Sequence, residues 1–231
     1  MLTVEDVVIR QDDFVLHADF AVQTGSVVAV IGPSGGGKST LLNVIAGFFA
    51  QVSGHVRWEG RNLTSLPPAQ RPVAMLFQDN NLFPHLTVAQ NVGLGIRPDL
   101  RLSDAERVIV AQALARVGLA GLEARKPASL SGGQQVRVAL ARVLVQRRPL
   151  VLLDEPFAAL GPALKAEMLD LVAQLAAETG ATILMVSHDP ADARRIAAQV
   201  ILVAEGVAHP PQPTAALLDN PPPALAAYLG T

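Results

Sequence analysis

Hydrophobic and polar residues follow two rhythms along this chain, and the change of rhythm predicts its elements. Near the start the apolar positions come in short runs, "LTVEDVVI" (2–9), "ADFAVQT" (18–24), "VVAVI" (27–31) and "HVRWEG" (55–60), punctuated by Gly25, Gly54 and Gly60. Short runs bounded by turn formers read as strands. After Gly37 the period lengthens: Leu41, Leu42, Ile45 and Ala46 share one side and Gly47 stops the pattern, as in a short helix. "VAMLF" (73–77) is strand-like again and runs into the turn-forming "QDNN". From Pro84 to Arg148 helical spacing dominates, with Ser103 and Glu106 placed as a capping box and Gly118 closing the helix they open. "LVLLD" (150–154), "TILMVS" (182–187) and "QVILVA" (199–204) are short and apolar, separated by helical patterns. That alternation predicts an α/β fold with a parallel sheet and right-handed crossovers. The proline-rich stretch 210–223 reads as irregular surface structure with one short helix. No repeat or linker divides the chain, so 1–231 reads as a single unit.

Composition narrows the class. Half of the 231 residues are hydrophobic and 16% are charged, which argues against disorder. A net charge of -2 with only three lysines gives no electrostatic footprint for nucleic acid. The absence of cysteine excludes disulfides, thiolate metal sites and cysteine nucleophiles. The first residues, "MLTVEDVVIRQDD", lack the basic start and apolar core of a secretory signal. No apolar run approaches the roughly 18 residues of a membrane span. A soluble, cytoplasmic domain is the expectation.

Candidate chemistry begins between the strand at 27–31 and the following helix, where Gly32, Pro33, Ser34, Gly35, Gly36, Gly37, Lys38, Ser39 and Thr40 match the phosphate-loop pattern G-x-x-x-x-G-K-S. Glycines let successive N–H groups curl around phosphate oxygens, and the helix N-terminus adds partial positive charge. Lys38 would reach the β- and γ-phosphates of a nucleotide, and the Ser39 hydroxyl would hold Mg²⁺. A plain glycine-rich turn would need far fewer glycines. At the end of the strand 150–154, Asp154 is placed to hold Mg²⁺ and Glu155 to polarise an attacking water; alone, this pair would pass for a surface turn. "LSGGQ" (130–134) supplies Ser131, Gly132, Gly133 and Gln134 at the start of another apolar helix, a second anion-binding device. Two cradles for one nucleotide make sense if the second serves the nucleotide of another copy.

On these elements together the chain resembles the ATP-binding-cassette ATPases, the motor subunits of ABC transporters. The resemblance spans essentially the whole sequence and includes Gln78 after "VAMLF" and His188 in "MVSHD". It implies a P-loop cassette with a RecA-like parallel-sheet core, an N-terminal antiparallel β subdomain and a helical subdomain at about 85–148. It further implies a homodimer sandwiching two ATP molecules, with Ser131, Gly132, Gly133 and Gln134 closing the opposite site. Gln78 would sense Mg²⁺ and the attacking water while touching a membrane permease, and His188 would contact the γ-phosphate. Implied partners are permease subunits, through Leu82, Phe83 and Leu86 as a groove lining, and indirectly a periplasmic or extracellular solute-binding protein. The expected place is the cytoplasmic face of the cell membrane. Within the family, segments 32–48 and 71–96 are similar to ATPases of bacterial thiamine importers, which also serve thiamine phosphates; importers of iron or polyamines share much of both. Cassettes acting on nucleic acid or ribosomes remain the alternative from another class, disfavoured by the short segment between Lys38 and Ser131 and by the few basic residues.

Three departures matter. The aromatic residue that usually stacks on adenine falls near Gln11, with Phe14 the nearest aromatic. The loop after Glu155 reads Ala158-Ala159-Leu160-Gly161 where the family has Ser-Ala-Leu-Asp, implying slower or less coupled turnover. Gln135 replaces an arginine after "LSGGQ", with Arg137 retained. The stretch after Ala204 is too short for the regulatory β-domain of many importer ATPases, so none is expected.

Overall fold

The computed structural model describes residues 1–229. The chain opens with a hairpin, β1 (Leu2–Gln11) and β2 (Phe14–Val22), that buries Leu2, Val4, Val7 and Ile9 on one side. The step from Val4 to Val7 breaks the period of two, and the backbone absorbs it with a bulge at which Asp6 takes φ 46. Without that extra residue Val7 and Ile9 would face solvent. β4 (Ser53–Trp58) pairs antiparallel with β1, and β5 (Arg61–Asn62) with β4. β2 begins at Phe14, four residues before the alternation suggested.

The other part of the sheet is parallel. Its order is β9 (Gln199–Ala204), β3 (Val27–Ile31), β8 (Thr182–Val186), β7 (Leu150–Asp154) and β6 (Val73–Leu76), with neighbours paired in parallel throughout. These are the runs that read as apolar on both faces, and β8 is buried at all five positions. Leu184 and Val186 face one core, Ile183 and Met185 the other. The two-residue β10 (Val207–Ala208) joins the halves, antiparallel to β9 and parallel to β2. β11 (Gln212–Pro213) adds to β9 from the other side.

Between the two sheet portions lies α1 (Lys38–Ala46), with Leu41, Leu42 and Ile45 fully buried against Leu16, Val56, Leu150 and Leu184. Nine residues are too few for a stable isolated helix. Burial of three large aliphatic side chains, at about 2 kcal/mol each, holds it in place. A second core gathers α2 (Val88–Gly93), α3 (Asp104–Arg116), α4 (Gly132–Val145) and α5 (Pro162–Thr179) around Leu76, Leu153 and Met185. The Ser103–Glu106 capping box opens α3 as its spacing predicted. α6 (Pro190–Ile196), α7 (Thr214–Asp219) and α8 (Pro223–Leu229) form a third core with β9 through Ala193, Leu217, Leu218 and Leu225. The stretch 210–223 thus holds the short strand β11 and the helix α7 and ends where α8 begins, where the pattern suggested one helix. Pro223 occupies the first helical position of α8, where its missing N–H costs nothing.

Candidate active site

The C-terminal ends of β3, β7 and β8 carry most of the groups singled out in the sequence, at the place where open α/β sheets bind ligands. After Ile31 the chain turns through Gly32–Gly37 into α1. Gly32 adopts φ +148 against β9, where a Cβ would come to 2.0 Å from the carbonyl oxygen of Val203. Gly37 has φ +96, and a Cβ there would strike the Phe14 ring at 2.5 Å. Lys38 is buried, and its Nζ donates to the carbonyl oxygens of Gly32 and Pro33, both at 2.9 Å. Burial holds its pKa below the usual lysine range, against the pull of Glu155 and Asp154. A cavity of about 410 Å³ opens above this loop, lined by Ser34, Gly35, Gly37, Lys38, Ser39, Thr40 and Glu155, with Gln11, Asp12 and Phe14 from the β1–β2 hairpin. Phe14 both packs on the core and borders this cavity. A larger cleft of about 560 Å³ between α4 and α5 is chiefly apolar, with Arg116, Arg147 and Arg148 among its lining, and contains none of these groups.

The loop passes a test of fit for a nucleoside triphosphate: its backbone leaves no room for a side chain at Gly32 or Gly37, and its one buried cation is bonded only to carbonyl oxygens, which phosphate oxygens can replace. Ser39 Oγ donates to Asp154 Oδ1 at 2.8 Å. Two hard oxygen donors suit Mg²⁺, which is commonly held by one or two protein oxygens with phosphates and water.

Asp154 is buried, and desolvation raises its pKa, only partly offset by the Ser39 hydroxyl. A carboxyl that binds its proton more tightly in the folded chain costs stability while ionised, and the cost fades as pH falls through the raised pKa. Asp154→Asn, which can still accept from Ser39, is therefore expected to raise the unfolding midpoint near neutral pH. The margin over the parent should narrow on acidification, as thermal melts across a pH series would show.

Glu155 follows directly, half-buried, with φ +43. A left-handed glutamate costs about 1–3 kcal/mol and persists only where its surroundings enforce it; here the next residues, Pro156 and Phe157, are buried. His188 leaves the end of β8 with its side chain half exposed, Nδ1 lying 3.6 Å from Glu155 Oε2. The residues around it are tied down. Ser187 Oγ donates to Asp192 Oδ2 at 2.5 Å, and Lys165 Nζ bridges Asp189 Oδ2 and Asp192 Oδ1 at 2.8 and 2.7 Å. Burial alone would lower the Lys165 pKa, but the two carboxylates outweigh it and raise it.

Other predicted residues lie apart. Gln78 is exposed just past β6 and does not line the cavity. Its loop is held by Arg142 of α4, whose guanidinium donates to the carbonyl oxygens of Asn80 and Asn81, each at 2.8 Å. Ser131 is the N-cap of α4, its Oγ accepting from the Gln134 N–H while Gln134 Oε1 accepts from the Ser131 N–H. Ser131 and Gly132 are exposed, and neither borders the cavity of its own chain. Gly133 packs so closely on α5 that a Cβ would meet Leu164 at 2.5 Å. Gly161 caps α5 without a side-chain bond and has open space beside it. Phe83 is exposed, Leu82 and Leu86 are half-buried, and the fully buried Asn91 fixes their loop through four hydrogen bonds to Phe83, Leu86 and Thr87. Phe48 and Phe49 are also exposed, with Phe48 packed edge-on to Phe77.

A parallel sheet ending in a glycine cradle, a buried lysine, and a serine–aspartate pair defines the P-loop class of nucleotide hydrolases. The chain belongs to the ABC transporter family, whose model matches residues 15–158, and is an ABC-type ATPase. It is 66% identical to the thiamine import ATP-binding protein ThiQ of Ruegeria sp. (strain TM1040), and 64% identical to the protein of the same name from Cereibacter sphaeroides. Each alignment runs over 230 residues and covers 100% of both chains. Among solved structures, the ATP-binding cassette MJ0796, described as a dimeric post-hydrolysis state bound to ADP and Pi, superposes with a TM-score of 0.82. That pair is 28% identical, with coverage of 93% of this chain and 99% of the other. Among the described residues, no helix is long and apolar enough to cross a membrane.

Proposed function

We propose that this protein is the ATP-hydrolysing motor subunit of an importer for thiamine and thiamine phosphates, working as a homodimer on the cytoplasmic face of the inner membrane. The observation that carries the solute is the identity of 66% over the full chain with a thiamine import ATP-binding protein. What carries hydrolysis is the convergence of Lys38, Ser39, Asp154, Glu155 and His188 on the ends of adjacent strands.

In this reading Lys38 exchanges its two carbonyl partners for β- and γ-phosphate oxygens, and Thr40 and the N–H groups of 34–39 surround the same phosphates. Ser39 and Asp154 would hold Mg²⁺, directly or through water, and the bound ion would draw charge from the phosphates; Gln78 would join them once its loop moves toward the nucleotide. Glu155 takes the proton from the attacking water, and His188 steadies the γ-phosphate side. The geometry of one chain leaves Ser131 and Gly132 exposed at a helix tip, which suits their closing on the nucleotide of a second copy together with Gly133 and Gln134. Phe14 offers a face for adenine. Phe83, with Leu82 and Leu86 of the same loop, offers an apolar contact for a cytoplasmic helix of the permease, exposed aromatic surface being of the kind that marks interaction sites. A solute-binding protein outside the membrane completes the assembly without touching this chain.

The test is uptake. Cells lacking this subunit should lose accumulation of radiolabelled thiamine and regain it with the parent chain. Restoration of iron or polyamine uptake in place of thiamine would overturn the solute assignment, and co-purification with nucleic acid or ribosomes would overturn the transport reading.

A further inference from the structure

The C-terminal helix reaches the catalytic end of the sheet. Tyr228, the one tyrosine of the chain, donates its hydroxyl to the main-chain carbonyl oxygen of His188 at 2.6 Å. We propose that Tyr228 is a positioning residue that braces His188, making α8 part of the catalytic apparatus; the inference rests on the reading of His188 as a γ-phosphate contact.

Three features carry it. First, the His188 side chain is half exposed and lies 3.6 Å from its nearest charged neighbour, Glu155, so packing alone does not fix its aim. Second, the residues on either side are anchored: the Ser187 N–H donates to Val30, and the Asp189 carboxylate is bonded to Lys165 and to the Ala191 N–H. Among the described residues, the Tyr228 hydroxyl is the group that bonds to residue 188 itself. Third, α8 is fixed from beneath. Leu225 is fully buried among Ala193, Ala197, Leu217 and Leu218, and Tyr228 packs against the same cluster. The brace therefore runs from a hydrophobic anchor, through one hydroxyl, to the backbone of the residue it aims. A tyrosine hydroxyl is protonated at neutral pH and so a donor, and burial with the nearby carboxylates of Glu155 and Asp189 raises its pKa further.

The experiment compares Tyr228→Phe, His188→Ala and the double variant in the full chain, measuring kcat, the KM for ATP and the thermal midpoint. Phenylalanine keeps the ring and deletes one hydrogen bond. Tyr228→Phe is expected to lower kcat about two- to tenfold, the scale of a single hydrogen bond, with KM and midpoint near parental values. In the His188→Ala background the same change should add nothing. If Tyr228→Phe leaves kcat unaltered while His188→Ala abolishes turnover, the brace is wrong and the site reading stands. If His188→Ala keeps the parental rate, the site reading falls and takes the brace with it. A Tyr228→Phe variant whose midpoint falls by more than the few degrees that one hydrogen bond accounts for, or whose KM rises in step with the loss of kcat, would mark the hydroxyl as structural and overturn the proposal.

Discussion

Glu155→Gln should cut ATP hydrolysis by about 10²–10⁴-fold, the usual effect of losing a general base, while leaving nucleotide affinity intact. Glutamine matches glutamate in size and can keep the left-handed backbone at this position, so Lys38 and the phosphate loop have no reason to move. What disappears is the acceptor for the proton of the attacking water. Because binding survives and cleavage does not, the variant should accumulate as an ATP-loaded dimer. Equilibrium binding of labelled ATP, steady-state phosphate release and light scattering together check all three parts. Hydrolysis at the parental rate would move the base elsewhere.

The second large effect is on the fold. Gly32→Ala is expected to cost more than about 4 kcal/mol, because the new methyl group meets backbone that has no rotamer to yield. At 2.0 Å from the Val203 oxygen, relief would require β3 and β9 to separate, and they are hydrogen-bonded neighbours in the parallel sheet. Gly35→Ala is the control. Gly35 also has positive φ, at 75°, but a Cβ there meets nothing within 4 Å. Its cost should be the left-handed backbone alone, about 1–2 kcal/mol. Urea unfolding of both variants separates the terms; equal losses would show that the approach to Val203 is not what demands glycine.

Much of this was legible because some positions are dictated by one dominant force. β3, β6, β7, β8 and β9 are covered on both faces, so nearly every residue must be apolar, and the runs stand out. The phosphate loop is legible because curled N–H groups exclude side chains, and its glycines report that directly. Elements defined by their neighbours were not legible. β10 and β11 have two residues each and exist through the strands they touch, and the two C-terminal helices are masked by the prolines that start them. The same holds at the site. Lys165, Arg142 and Tyr228 act from distant points in the chain, each as a single ordinary residue with no spacing to betray it. The α4 cap is a different case: Ser131 and Gln134 carry the S-x-x-Q signal of a capping box. The glycines between them drew attention to anion binding instead, and the serine serves the helix in this chain.

Arg142 gives α4 a mechanical meaning. One end of that helix is the exposed tip at Ser131 and Gly132; about 15 Å along it, at 1.5 Å per residue, Arg142 grips the backbone just beyond Gln78. A rigid rod pinned in this way cannot swing its tip without dragging the loop at the other end. A displacement of that loop from outside would thus be carried to the tip, and a tip pressed against a neighbouring molecule would shift the loop in return.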